Sequence, residues 1–289
     1  MTSGVRVGFL GAGRVARTLA LGLHEAGYAL TAAWSRTPAR AHAVAASAPA
    51  CRVSPDPQGV ADACELVFVT VSDDVIQRVT ESVQWRAGVT VAHCSGARDL
   101  GVLAAASSAG AVVASLHPLQ TFTEPRATLA ALRGATFTLE GDSELLEGVA
   151  HALGGKLLRL PPGSRALYHA SGTYASPFVL ALLGEAVTLW KRLGFSERDA
   201  LDALIPLMRA TLANAERDGL GAALTGPVAR GDTGTVARHL QALRERAPEQ
   251  LAFYARTAAL TVPLAQARGL PPEQAAAFRA LLDDQASEE

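Results

Sequence analysis

Cysteine is scarce in this chain: Cys51, Cys64 and Cys94 are the only three in 289 residues. None stands in a C-x-x-C pair. An odd number without paired spacing excludes a disulfide framework and a cysteine-rich zinc site; no metal is expected, and a reducing compartment, the cytoplasm, is. An excess of charge of either sign is missing as well. Lys and Arg number 26 against 27 Asp and Glu, which gives no bulk attraction for nucleic acid. With 49% hydrophobic and 18% charged residues, a disordered chain is excluded too. Two uncharged runs, 100–123 and 167–184, have the length of a bilayer span, yet neither is expected to be one. The first is mostly Ala, Gly and Ser and is broken by Gly110 and His117-Pro118; the second carries Tyr168, His169, Gly172 and Pro177. The start of the chain shows no basic segment followed by an apolar stretch and cleavage site, because Val5–Leu10 runs directly into a glycine turn. The expectation is a soluble, unprocessed protein with neither nucleic acid nor membrane as partner.

What the chain does have is length for about two domains and a change of texture partway along. Short β-branched or apolar runs alternate with Ala- and Leu-rich helical stretches up to residue 160, the pattern of βαβ units around a mostly parallel sheet. Strands are expected at 5–10, 30–34, 66–71, 89–92, 112–115, 135–139 and 156–160. Val15, Leu19 and Leu23 repeat every four residues, an apolar stripe for a helix packed on that sheet. After Pro161-Pro162-Gly163 no further strand is apparent. The expected fold is therefore α/β: a doubly wound Rossmann domain over 1–162 and an all-α domain over 163–289. Within the helical part, Ser196 with Asp199 resembles a capping box and Asp232 is a candidate cap. Pro206 is expected to kink its helix, and Val236, His239, Leu240 and Leu243 to line an inner face.

The segment Val5–Ala16 reads strand, G-x-G-x-x-A, helix. Gly11 permits the tight turn, Gly13 lets the backbone approach a pyrophosphate, and Ala16 lets helix and strand pack closely, with Ala12, Arg14 and Val15 at the helix N-terminus facing the anion. Some 20 residues on, an Asp or Glu would bind the ribose hydroxyls of NAD. Here the run is Trp34-Ser35-Arg36-Thr37-Pro38-Ala39-Arg40, without a carboxylate. Ser35, Arg36, Thr37 and Arg40 suit the extra phosphate of NADP(H); a solvated turn is the competing account for Arg36.

Ligands of a doubly wound sheet sit beyond the carboxyl ends of its strands. Val71 and Ser72 are expected beside the nicotinamide ribose, and Asp73 and Asp74 as caps of the following helix. The next two strand ends bring His93-Cys94-Ser95-Gly96 and His117-Pro118-Leu119-Gln120 to the same side. Histidine exchanges protons near neutral pH, and hydride transfer to C=O or C=N needs a proton on the heteroatom. A hydrogen-bonded structural role competes for each histidine. Cys94 is read as a small buried hydrophobe. Tyr168 and His169 open an apolar helix and can face the cleft, with core packing as the alternative. Arg230, in Thr225–Asp232, can bind an anionic substrate or pair with Asp232.

The N-terminal half resembles the superfamily of 6-phosphogluconate and 3-hydroxyisobutyrate dehydrogenases, pyrroline-5-carboxylate reductase and prephenate dehydrogenase. More closely, HCSGA at 93–97, HPLQTF at 117–122, YHASGTYAS at 168–176 and LTGPVARGD at 224–232 resemble a Rossmann-like oxidoreductase family with a helical C-terminal domain of unknown function (domain of unknown function 2520). The resemblance implies a homodimer made by the helical domain, which closes over the nicotinamide. His117-Pro118 is similar to the His-Pro of prephenate dehydrogenases, whose histidine contacts the substrate group being oxidised, and Ser95 matches their serine, so the resemblance raises His117 above His93. Pro177 departs from the pattern, since relatives commonly carry Asn there. The expected function is NADP(H)-dependent hydride transfer to or from a small acidic substrate. The candidate proton-handling residues are His117, Ser95, His93, Tyr168 and His169, with Gln120 and Arg230 as substrate ligands. Two alternatives are a dinucleotide-binding sensor without turnover and reduction of another redox cofactor such as a deazaflavin.

Overall fold

A computed structural model describes residues 4–286. Its chain divides into two compact units that part at Ser176/Pro177. The first opens with β1 (Arg6–Leu10), α1 (Arg14–Glu25), β2 (Ala29–Trp34), α2 (Pro38–Ala45), β3 (Arg52–Val53), α3 (Pro57–Ala63), β4 (Leu66–Val69) and α4 (Ile76–Glu81). It continues through β5 (Thr90–His93), α5 (Ala104–Ser108), β6 (Val112–Pro118), α6 (Pro125–Leu132), β7 (Thr136–Glu140), α7 (Glu144–Ala152), β8 (Lys156–Arg159) and α8 (Arg165–Ala175). The eight strands form one sheet in the order β3-β2-β1-β4-β5-β6-β7-β8. All neighbours from β3 to β6 are parallel, β7 runs antiparallel to β6, and β8 is parallel to β7. This is the doubly wound arrangement expected of alternating apolar runs and helical stripes. The order reverses between β1 and β4, which opens a crevice beyond their carboxyl ends.

Both sheet faces are covered, so the central strands are mostly apolar. Val7, Phe9, Phe68 and Leu19 belong to one core, and Leu10, Val67, Val69 and Val91 to the other. Two strand ends differ from expectation. The run at 66–71 leaves the sheet after Val69, whereas β6 extends through Pro118 because β7 pairs with it, His117 opposite Thr138. His93 and His117 therefore lie on strands. The two-residue β3 was not anticipated, being too short to show a period.

The units part fourteen residues beyond the boundary expected after Pro162. The cause is Arg165: fully buried, it ties the start of α8 to Glu140 of β7. The second unit holds α9 (Pro177–Arg192), α10 (Glu197–Ala223), α11 (Thr233–Arg246), α12 (Pro248–Ala259), α13 (Val262–Ala267) and α14 (Pro272–Ala286). Val236, Leu240, Leu243, Leu251, Val262 and Phe278 make its core. The capping box at Ser196 and the Asp232 cap are present. Two helical sites depart from expectation. Helical backbone angles persist through Pro206, and α10 breaks at Gly219, a site not expected from sequence, whose φ of 80° only glycine adopts freely. His239 is exposed and hydrogen-bonded to Tyr254 at 2.8 Å, so it does not join the inner face. By length and composition Arg165–Arg192 would pass as a membrane span. It is interrupted at Ser176 and begins with the buried, ion-paired Arg165.

Candidate active site

Beyond β1, β2 and β4 lies a cavity of about 200 Å³ lined by Gly11, Ala12, Gly13, Trp34, Ser35, Arg36, Thr37, Arg40, Thr70, Val71 and Ser72, together with Val75 and Val79. An adjoining hollow adds Arg14 and Val15. The turn is built by two different glycines. Gly11 sits at φ 108°, donates to the Trp34 carbonyl at 2.9 Å, and leaves no room for a Cβ, which would lie 2.6 Å from the Thr70–Val71 backbone. Gly13 has ordinary dihedrals, and the nearest heavy atom to its would-be Cβ is 4.0 Å away. That open face above the α1 N-terminus is the space a pyrophosphate needs. Arg36 and Arg40 are exposed, and neither forms an ion pair among the described residues. The residues present thus fit NADP(H): an anion cradle at one end and free guanidiniums in place of the NAD-selecting acid.

From the Val71–Ser72 wall the chain leads on to Asp73, whose hydrogen bond to Ser95 and the packing at Gly96 connect it to the histidines. Asp73 does not cap α4; its Oδ2 accepts from Ser95 Oγ at 2.7 Å, linking the ends of β4 and β5. Ser95 Oγ also accepts from the Ala97 and Arg98 amides at 3.1 and 3.0 Å. Its hydroxyl is thus committed to holding the loop rather than free for a substrate proton. Gly96 follows, and a Cβ there would lie 2.5 Å from His169 Cδ2 and 2.9 Å from His117 Nε2. His117 Nδ1 is 2.8 Å from Tyr168 Oη, and His169 stands edge-on to the same imidazole with ring centroids 6.3 Å apart.

These groups differ in what they can do. Burial, and then the charge of Arg165, push His117 down to about 4, with His169 adding to it; His117 is therefore neutral at physiological pH. His93 is fully buried and is pushed down to about 3, first by burial, then by Arg165. Its Nδ1 accepts the Ser95 amide at 3.2 Å, a structural assignment that removes it from the proton path. Burial raises Tyr168. The thiols of Cys51, Cys64 and Cys94 are free, buried and pushed up to about 11, 12 and 12, which leaves them protonated. Gln120 is engaged locally: its Nε2 donates to the Ala131 carbonyl at 3.2 Å and its Oε1 accepts the Thr121 amide at 2.8 Å. That satisfies the side chain within its own loop and removes the basis for a substrate role. Arg230, in the second unit, lines a hollow of about 420 Å³ with Arg268 and Gln274, while Asp232 is bonded to Thr235 instead of to Arg230. Among the described residues no group of three or more His, Cys, Asp or Glu is placed to hold a metal. Thr70, Asp73, Glu140 and Arg165 carry no local signature; each lies in an apolar run or beside a turn.

Residues 6–94 match the family described as NADP oxidoreductase coenzyme F420-dependent, and residues 135–261 the one described as Domain of unknown function (DUF2520). The glycine turn, the switch-point cavity and these matches define the class, an NADP oxidoreductase. The first match lies in the N-terminal part of the chain and the second runs from it into the helical part. Its fold is similar to that of a Thermotoga maritima protein, with a TM-score of 0.72 at 24% identity over 91% of this chain and 99% of that one. It is also similar to a reductive aminase from Aspergillus terreus in complex with NADPH4, cyclohexanone and allyl amine, with a TM-score of 0.62 at 17% identity over 97% and 93%. A Plasmodium falciparum pyrroline carboxylate reductase with NADP bound gives a TM-score of 0.58 at 11% identity over 99% of both chains. No curated protein matches the sequence.

Proposed function

We propose that this NADP oxidoreductase moves a hydride between the nicotinamide and a small acidic substrate bearing a C=O/CH–OH or C=N/CH–NH centre, and that it works as a cytoplasmic homodimer. The observation that carries the reading is the continuity of the cavity wall at Val71–Ser72 with Asp73, Ser95, Gly96 and then His117, Tyr168 and His169. NADP(H), when bound, supplies or takes up the hydride. Gly11, Gly13 and the α1 N-terminus hold the pyrophosphate, and Ser35, Arg36, Thr37 and Arg40 hold the 2′-phosphate. Tyr168 and His117 handle the proton, with His169 at the edge of the pair and Arg230 offering a guanidinium to a carboxylate. Similar folds holding a ketone with an amine, or named for pyrroline carboxylate, favour a carbonyl or imine carbon. A dimer is supported by the helical unit, where α9 and α10 bury only Val187 and Ala200 and expose Phe178, Leu180, Leu207, Leu212 and Leu220. The family description also names coenzyme F420, so a flat redox cofactor is the second substrate class to assay.

Fluorescence titration of wild type and Arg36→Ala with NADPH and NADH tests the reading. NADPH should bind more tightly than NADH, and the substitution should weaken NADPH alone. Failure of both nucleotides to bind wild type would overturn it.

A further inference from the structure

The most deeply buried charge in the first unit lies outside the cofactor cavity. Arg165 is 0% exposed and donates from Nε to Glu140 Oε2 at 2.5 Å, from Nη1 to the Ser95 carbonyl at 2.8 Å and from Nη2 to the Ser115 carbonyl at 3.5 Å. One side chain thus joins the end of β7, the loop after β5 and the strand that bears His117. The sheet register explains the meeting. His93, Ser115 and Glu140 are neighbours across β5, β6 and β7, and His117 and Thr138 form the next row on the same face, two residues along each strand. On α8, Arg165 and Tyr168 are three residues apart and so share a face. Arg165 meets the first row, and Tyr168 meets His117 in the second.

We infer that the Arg165–Glu140 pair is the positioning device of the reaction site: it seats α8 so that the Tyr168 hydroxyl meets His117 Nδ1, and it sets a cation where it opposes a second positive charge on His117. The inference rests on the proposed reading of His117 and Tyr168 as the proton-handling pair. A neutral imidazole has one N–H and one lone pair, so it passes a proton only by taking one on the other nitrogen. When Tyr168 Oη gives its proton to the substrate, His117 Nδ1–H replaces it while Nε2 takes one from solvent; in the reverse direction Nδ1 receives the proton and Nε2 releases one to solvent, so no imidazolium forms. The ionisable groups facing His117 within this unit come from α8 and from the neighbouring strands. Arg165, Tyr168 and His169 approach from α8, His93 from β5, and Glu140 of β7 is held against Arg165.

The test is an NMR titration of the His117 imidazole in the full-length protein, with NADPH affinity measured in parallel. Wild-type His117 should titrate near pH 4. Glu140→Gln leaves the arginine uncompensated and should lower the midpoint further. The double variant Arg165→Met/Glu140→Gln removes both charges and should raise the midpoint by about one pH unit or more, whereas Arg165→Lys keeps the cation and should keep the wild-type midpoint. A double variant that titrates as wild type would overturn the inference, because burial alone would then hold His117 neutral. Should that variant fail to fold, Glu140→Gln decides alone, and an unchanged or raised midpoint overturns it. None of the substituted residues lines the cofactor cavity, so NADPH affinity should be unchanged throughout. Loss of NADPH binding by wild type would remove the oxidoreductase reading while leaving the titration result intact.

Discussion

Gly11 and Gly13 are two residues apart in one turn and are glycine for unrelated reasons. At Gly11 the fold itself forbids a side chain, through both φ 108° and the Thr70–Val71 backbone. At Gly13 nothing in the protein does, and only a ligand would feel the difference. Gly13→Ala should therefore melt at the wild-type temperature and bind NADPH at least about tenfold more weakly, while Gly11→Ala should lose about 1–2 kcal/mol of stability or more. Calorimetry and nucleotide titration on the two variants separate these outcomes. Gly96 gives a third case. A methyl group there would press on His169 and His117 Nε2, so Gly96→Ala should keep NADPH binding and lose turnover, read as a fall in kcat on any substrate the screen yields.

At the scale of elements, adjacent strands β5 and β6 each carry a histidine that folding drives away from its charged form. His93 falls to about 3 and His117 to about 4 from an ordinary 6.5, burial being the larger cause in both. Below pH 6.5 the unfolded chain binds protons at these positions and the folded chain does not. The stability they contribute is thus complete above pH 6.5 and is lost as pH falls toward about 4 for His117 and about 3 for His93. Urea denaturation at pH 7.0, 6.0 and 5.0 should show that decline. His93→Gln cannot titrate and should flatten it by about one proton; an unaltered slope in that variant would mean that His93 is not buried neutral. The same pair of strands explains why Ser95 is unavailable as a proton donor. Its hydroxyl spends its one proton on Asp73 and accepts two backbone amides, which shapes the loop that sets Gly96 against the histidines.

For the whole molecule, the described residues expose a run of large apolar side chains on the helical unit. Leu207, Leu212 and Leu220 are 61–68% exposed on α10, and Phe178 and Leu180 are exposed on α9. A second copy of the chain covering these helices would bury them. Sedimentation should find a dimer at micromolar concentration, and Leu207→Glu/Leu212→Glu should yield a monomer whose circular dichroism is unchanged. A wild type that stays monomeric at 100 µM would exclude the dimer.

The sequence by itself determined the βαβ alternation, the dinucleotide turn and the cation set at Ser35–Arg40, because each depends on residues within a few positions of one another. A strand, a positive-φ glycine and a helix N-terminus need only about twelve consecutive residues to be recognised. The proton site was legible only as a collection of parts. His117 and Tyr168 stood out as residue types, but their contact spans 51 positions, and Ser95 meets Asp73 over 22. Asp73 looked like a helix cap, and Gln120 like a substrate ligand, because a short sequence window cannot show which partner satisfies a polar group. Only the tertiary structure decided that Arg165, which no sequence motif marks, lies in the core. Its charge is tolerable there solely because Glu140, 25 residues earlier, and the Ser95 carbonyl, 70 residues earlier, are brought to it by the sheet.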